Sequence, residues 1–285
     1  MGGVSFHLGA NRALIEVKLP TERLPPSSFT RFLIVPPAKM SKYSVVITTF
    51  DKRFEDHLVP LIASIKRSRP HVEIIVMVNG PCNAPFDQVF RQKILSYLAD
   101  YSETYPTIFP NFQSLAKLWN RGILTATNDF SLVLNDDLEI HDRFFDLFES
   151  ELQNKTSSFR INESFSHYLI NKMELIKVGF FDERLLGLGE EDGDFFWRYF
   201  ECYKKDIPSV SISGIDNIQS PLADPGYIKG IRTASQFNRD FILKEKYERS
   251  VFGHKGMFDY RVRKSLNDLV QYPYEEYYLK NRDKV

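Results

Sequence analysis

Ser131-Leu132-Val133-Leu134-Asn135-Asp136-Asp137-Leu138-Glu139-Ile140 is the stretch on which the fold reading turns. A short apolar, strand-like run empties directly into adjacent carboxylates. In an open α/β sheet, ligands bind outside the carboxyl ends of the strands. Paired acids at such a tip suit a hard divalent cation, Mn²⁺ or Mg²⁺, which prefers oxygen ligands and can complete its shell on a diphosphate. Asp137 and Asp136 are therefore candidate metal ligands. The competing reading is an ordinary acidic turn, because Asp side chains hydrogen-bond their own backbone there. The surrounding sequence has to decide between them.

Upstream, strand and helix alternate. Residues 44–49 read as a β-branched strand, and 55–67 carries helical spacing through Leu58, Leu61, Ile62 and Ile65. Residues 72–78 form a continuous apolar strand, as in a sheet covered on both faces, and Asn79-Gly80-Pro81 ends it in a turn. Pro85 can open the next helix, which is expected to run to about Tyr101. A short strand at 107–109, a helix at 114–126 and the strand at 130–134 come next. This rhythm predicts an α/β fold with a mostly parallel sheet, right-handed crossovers and helices on both faces. Further on, helices are expected at 144–152, 173–178 and 235–247, and strands at 159–161, 167–170 and 210–212.

Residues 1–40 differ from the rest of the chain. They hold Pro20, Pro25, Pro26, Pro36 and Pro37 and read as an N-terminal extension with room for one short hairpin. The α/β domain is expected over 41–255, its first half at about 41–140 and a less regular second half at about 141–255. Residues 256–285 read as a charged, Tyr-rich helical tail.

Composition excludes several classes. The 285 residues carry 37 Lys plus Arg against 37 Asp plus Glu, so no basic field recruits nucleic acid. The two cysteines, Cys82 and Cys202, make neither a disulfide framework nor a zinc pattern, which points to a reducing, cytoplasmic location. No apolar run approaches the roughly 20 residues that span a bilayer. The N-terminus lacks the apolar core of a signal peptide. Peripheral attachment to a membrane is left open, and no feature speaks to the oligomeric state.

A second acidic cluster comes after a Gly-rich loop, in Leu185-Leu186-Gly187-Leu188-Gly189-Glu190-Glu191-Asp192-Gly193-Asp194. Acids in a first helical turn are stabilised by the helix dipole with no catalytic purpose, and Asp194 can pair with Arg198 one turn on. Gly187 and Gly189, however, suggest backbone that fits closely against something. The functional reading is a carboxylate kept deprotonated to accept a proton from an acceptor hydroxyl.

Taken in order, these segments resemble a family-2-type glycosyltransferase of the GT-A fold, over roughly residues 43–200. Residues 43–51 resemble its first strand and nucleotide-binding loop, and 73–80 its second strand. Residues 111–122, with Ala116, Asn120 and Gly122, resemble the helix before the metal motif. Asn135-Asp136-Asp137 resembles the DxD-type motif, and Glu191-Asp192-Gly193-Asp194 with Arg198 the acidic catalytic motif. The resemblance implies a metal-dependent, inverting hexosyl- or deoxyhexosyltransferase of polysaccharide biosynthesis. It would use a nucleotide-sugar donor, a UDP-sugar by default, and a glycan or glycoconjugate acceptor. Thr48, Thr49, Asp51, Asn79, Asn120 and Asp136 would line the donor nucleotide site. Asp137 and Asp136 would hold Mn²⁺ or Mg²⁺. Asp192 would be the general base and Glu191 would orient it or the acceptor. Asn79 and Asn135 stand where relatives often have acids. For the downstream His that many relatives give the metal, Asp216 and Asn217 occupy the nearest place, and His254 comes later. Residues 237–241, with Lys246 and Tyr247, resemble a helix of transferases acting on bacterial surface polysaccharides, or simply an amphipathic helix covering the sheet.

Two other readings remain. A sugar-phosphate nucleotidyltransferase would use Lys52 and Arg53 on a triphosphate, although its Gly-rich loop is missing here. A non-catalytic nucleotide- or carbohydrate-binding module could keep the same fold.

Overall fold

The computed structural model describes residues 8–9, 12–13, 42–82, 84–218, 225–249 and 261–263. The chain divides into two compact units, Met1–Ala38 and Lys39–Val285. In the first, β1 (Leu8–Gly9) pairs antiparallel with β2 (Arg12–Ala13).

The second unit begins with β3 (Tyr43–Thr49), then α1 (Val59–Ser68), β4 (Glu73–Val78), α2 (Gln88–Ala99) and β5 (Thr104–Ile108). Next come α3 (Leu115–Thr125), β6 (Phe130–Asn135), β7 (Leu138–Ile140) and α4 (Phe144–Gln153). A hairpin of β8 (Phe159–Ile161) and β9 (Ser164–Asn171) leads to α5 (Lys172–Val178) and α6 (Glu191–Tyr203). The chain continues through β10 (Ser209–Val210), β11 (Ile215–Asn217), α7 (Pro225–Phe241), β12 (Tyr247–Arg249) and β13 (Arg261–Arg263).

Seven strands form the central sheet in the order β10-β8-β9-β6-β3-β4-β5. The run β6-β3-β4-β5 is parallel, and β9 enters antiparallel beside β6. Alternate residues of one strand serve two cores. Val45, Ile47, Ile74, Val76, Leu132 and Leu134 pack with Leu61, Ile65, Ile94 and Phe148. Val46, Ile75, Met77 and Val133 pack with Trp119, Ile123, Phe195 and Tyr199. Burial on both faces is why these strands read as unbroken apolar runs.

Some boundaries differ from expectation. Pro85 does not open α2. Asp87 does, its carboxylate accepting from Val89 N at 2.8 Å, because an acceptor side chain satisfies an orphan amide that proline cannot. The helix expected at 235–247 starts instead at Pro225, runs as α-helix to Phe241 and continues as a π-helical turn over Ile242–Lys246. Within the tail, Arg261–Arg263 is a strand paired with β12, not helix. β7 and β11, unforeseen, pair antiparallel in a small second sheet just past the acids, Asp216 opposite Glu139 and Asn217 opposite Leu138. Among the described residues, no helix is long and apolar enough to cross a membrane.

Candidate active site

The parallel strands β3, β4 and β6 end on the same edge. Thr48 lies in register with Asn135, so the loops after β3 and β6 are neighbours. Asp136 is 3% exposed. Its Oδ1 accepts from Arg53 Nη1 at 2.7 Å, and the same nitrogen lies 3.0 Å from Asp137 Oδ2. Burial pushes the Asp136 carboxyl up, against the pull of Arg53. Asn135 Oδ1 and Asp137 Oδ1 are buried without a hydrogen-bond partner, and the second oxygen of Asp136 has at most the weakly placed Thr49 hydroxyl beside it. Buried acceptors are normally satisfied. Oxygens left unpaired at one strand tip are the donor chemistry that a hard cation takes, so the residues present fit Mn²⁺ or Mg²⁺. Among the described residues no three His, Cys, Asp or Glu side chains gather into a ready-made metal site.

The other expected donor-side residues fall into two groups. Asp51 is exposed in the turn after β3, where it accepts from Lys52 N at 2.8 Å. Asn79 and Asn120 are engaged within the protein. Asn79 accepts from Gln113 N at 2.8 Å and donates to Gln113 O at 3.0 Å. Asn120, fully buried, accepts from Phe181 N and donates to Phe181 O and Glu183 Oε1. Asn79 ties the end of β4 to the segment ahead of α3, and Asn120 ties α3 to the segment leading to the second acidic cluster. Asp216 lies by His141, 3.2 Å from its Nε2, and Asn217 accepts from Ser166. His254 lies outside the described residues.

The second acidic cluster sits where the Gly loop enters α6. Leu115 N donates to Gly187 O at 2.9 Å, tying the loop to the start of α3. Glu190 enters with φ +75°, in the left-handed region. Glu191 is buried, accepts from Gly189 N at 2.6 Å, and is pushed up to about 8 by burial and by the charge of Asp192. Asp192 stays partly exposed, accepts from Gly193 N at 2.7 Å, and is raised, again mainly by burial. Desolvation thus overrides the helix dipole expected to hold these acids ionised. The outcome is a protonated Glu191 beside a reachable Asp192 whose affinity for a proton is increased. Tyr168 of β9 adjoins them: its buried hydroxyl has no partner, and burial plus the charges of Glu191 and Asp192 raise it well above the usual range.

The glycines fit closely against α7 rather than against a ligand. A Cβ on Gly187 would meet Ala234 Cβ at 2.7 Å, and Gly189 holds φ +117° against Ser235. From α7, Asn238 accepts from Leu186 N and donates to Leu186 O and Gly189 O. Beneath the loop, Lys246 pairs with both Asp182 and Asp194. Asp194 also accepts from Arg198 Nε at 2.9 Å and from Tyr247 Oη at 2.6 Å. Burial alone would raise Asp194, but Lys246 and Arg198 outweigh it and hold the carboxyl low. Asp194 is therefore an ion-pair anchor, and Arg198 extends it to the carbonyls of Val178, Gly179 and Phe180.

A family model for glycosyltransferase like family 2 matches residues 126–233, which span both acidic clusters. TarS of S. aureus superposes with TM-score 0.50 at 14% identity, covering 72% of this chain and 46% of TarS. This is the fold of a family-2-like GT-A glycosyltransferase. The chain spans less than half the length of TarS. Glucosyl-3-phosphoglycerate synthase from Mycobacterium tuberculosis, solved with Mn²⁺, UDP and glucosyl-3-phosphoglycerate, aligns at 13% identity and TM-score 0.47 over 67% of this chain and 78% of its own. GalNAc-T7, solved with UDP, GalNAc and Mn²⁺, aligns at 10% identity and TM-score 0.49 over 67% of this chain and 48% of its own. No curated protein matches.

Sequence reasoning gave Arg53 a role only in the nucleotidyltransferase alternative, placed Asn238 only within a helix segment, and gave Tyr168 none. Arg53 carried a signal, since a basic residue just after one strand faces acids just after its parallel neighbour. Tyr168 carried none within an apolar strand.

Proposed function

We propose that this chain is a metal-dependent, inverting glycosyltransferase that moves a sugar from a nucleotide-sugar donor, a UDP-sugar by default, to a hydroxyl of a glycan or glycoconjugate. The observation that carries the reading is the pairing of two unlike acid sites. One is a strand tip with unsatisfied oxygens on Asn135 and Asp137; the other is a reachable carboxylate, Asp192, beside a buried protonated one.

Asp137 and Asp136 would hold Mn²⁺ or Mg²⁺, which when bound supplies Lewis-acid stabilisation to the departing diphosphate. Thr48, Thr49 and Asp51 would line the nucleotide pocket. Asp192 takes the acceptor hydroxyl proton as the new bond forms between that oxygen and the anomeric carbon. The bond from the anomeric carbon to the diphosphate oxygen breaks, and its electron pair leaves with the nucleotide. One displacement inverts the anomeric centre. Glu191 would orient the acceptor or Asp192. The two free cysteines, Cys82 and Cys202, both exposed, suit a reducing cytoplasm.

A thermal-shift screen of nucleoside diphosphates with and without Mn²⁺ tests this reading, because a ligand of the native state raises apparent stability. UDP with Mn²⁺ should give the largest shift, and Asp137→Ala should abolish the Mn²⁺-dependent part. A shift that Asp137→Ala leaves intact would remove the metal assignment.

A further inference from the structure

Arg53 and a divalent cation require the same carboxylates. The guanidinium takes Oδ1 of Asp136 and Oδ2 of Asp137 through one nitrogen, and its carbon lies 5.4 Å over the Phe50 ring. The side chain is only 12% exposed, and that of Asp136 4%. Arg53 cannot fully discharge the pair: one positive charge faces two carboxylates, and Asp137 Oδ1 remains buried and unpartnered. A divalent cation would match both the charge and the free oxygens, but it could not sit there beside a guanidinium without strong like-charge repulsion. Arg53 closes the turn Asp51–Arg53, outside the strand ladder, so its side chain can swing without breaking a strand pairing.

We propose that Arg53 is an exchangeable counter-ion of the donor site. Without donor it neutralises part of the Asp136–Asp137 charge. When the cation enters with the donor, Arg53 leaves the acids and its planar fork engages the diphosphate oxygens. Arg53 is then both a guard against binding of the cation alone and a diphosphate ligand. The inference rests on the donor-site reading above.

Calorimetric titration of the full chain with Mn²⁺ alone, then with UDP at saturating Mn²⁺, separates the two ideas. Arg53→Met should bind Mn²⁺ alone about 10-fold more tightly than the unaltered protein, and UDP with Mn²⁺ about 10-fold more weakly, on the scale of a lost charge-assisted contact. Arg53→Lys keeps the charge without the fork and should fall between the two for Mn²⁺; it also serves if Arg53→Met folds poorly. Unchanged or weaker Mn²⁺ binding by Arg53→Met overturns the exchange. If the unaltered protein binds UDP without Mn²⁺ and Arg53→Met does not, Arg53 replaces the metal permanently, which overturns the exchange but keeps the nucleotide reading. If no protein binds UDP under any condition, the donor-site reading itself falls.

Discussion

The two halves of the site are held by different physics. The strand-tip edge, proposed above for the donor, is set by the sheet. Thr48, Thr49, Asn135 and Asp136 are carried by parallel strands whose neighbours are almost wholly apolar, and Asn135 Oδ1 is left unsatisfied. The loop proposed for the acceptor side has little regular structure of its own. Asn238, Lys246 and Tyr247 hold it from more than 50 residues away by buried hydrogen bonds and ion pairs. A main-chain scaffold can leave its functional groups free, whereas a side-chain scaffold consumes polar groups to hold the loop.

That contrast can be broken most sharply at Lys246. Lys246→Met removes the cation shared by Asp182 and Asp194, which then keep Arg184 and Arg198, so the loss should be about 3 kcal/mol, the low end of the range for breaking a buried ion pair. Urea denaturation should show a loss of that size, while an isosteric change at the donor edge such as Asp137→Asn should cost far less. Equal losses at both positions would erase the distinction.

Asn238→Ala comes next. It removes the acceptor for Leu186 N and the donors to Leu186 O and Gly189 O, worth about 2 kcal/mol for buried groups left unpaired. The acceptor KM should rise while UDP affinity stays level, which calorimetry and initial rates distinguish. A comparable fall in UDP affinity would show that the halves are not independent.

Glu191 adds a pH signature. Its folded-state value, about 8, lies above the ordinary carboxylate range. The neutral form is favoured in the fold, so its stabilisation is full below the unfolded value of about 4.5 and is lost as pH rises through about 8. Glu191→Gln should therefore lie close to the unaltered protein near pH 5 and exceed it by about 4–5 kcal/mol near pH 9, at about 1.4 kcal/mol per pH unit of the rise to about 8. Identical pH profiles of melting temperature would mean that Glu191 is ionised throughout.

The legibility of the fold and site in the sequence divides along the same line. The strands from β3 to β6 and the acids after β6 could be read because apolar runs and their terminators are local signals. The role of α7 could not be, because Asn238 meets Leu186 only once the chain has folded back. Asn120, placed at the donor site through the resemblance alone, bonds to the backbone of Phe181, a partner that no local signal announces. The glycines correctly signalled close packing, but the surface they meet belongs to α7. β7 and β11 were too short to carry a period, and their pairing joins segments far apart in the chain.

Asp192→Asn gives the most direct test of a site with a donor edge and a separate base. The substitution keeps the shape and the acceptor oxygen for Gly193 N while removing the proton acceptor. With a panel of UDP-sugars and Mn²⁺, transfer to a glycan should fall about 10²–10⁴-fold, the range for a lost general base, while thermal stabilisation by UDP with Mn²⁺ stays unchanged. Transfer at the unaltered rate would contradict the account.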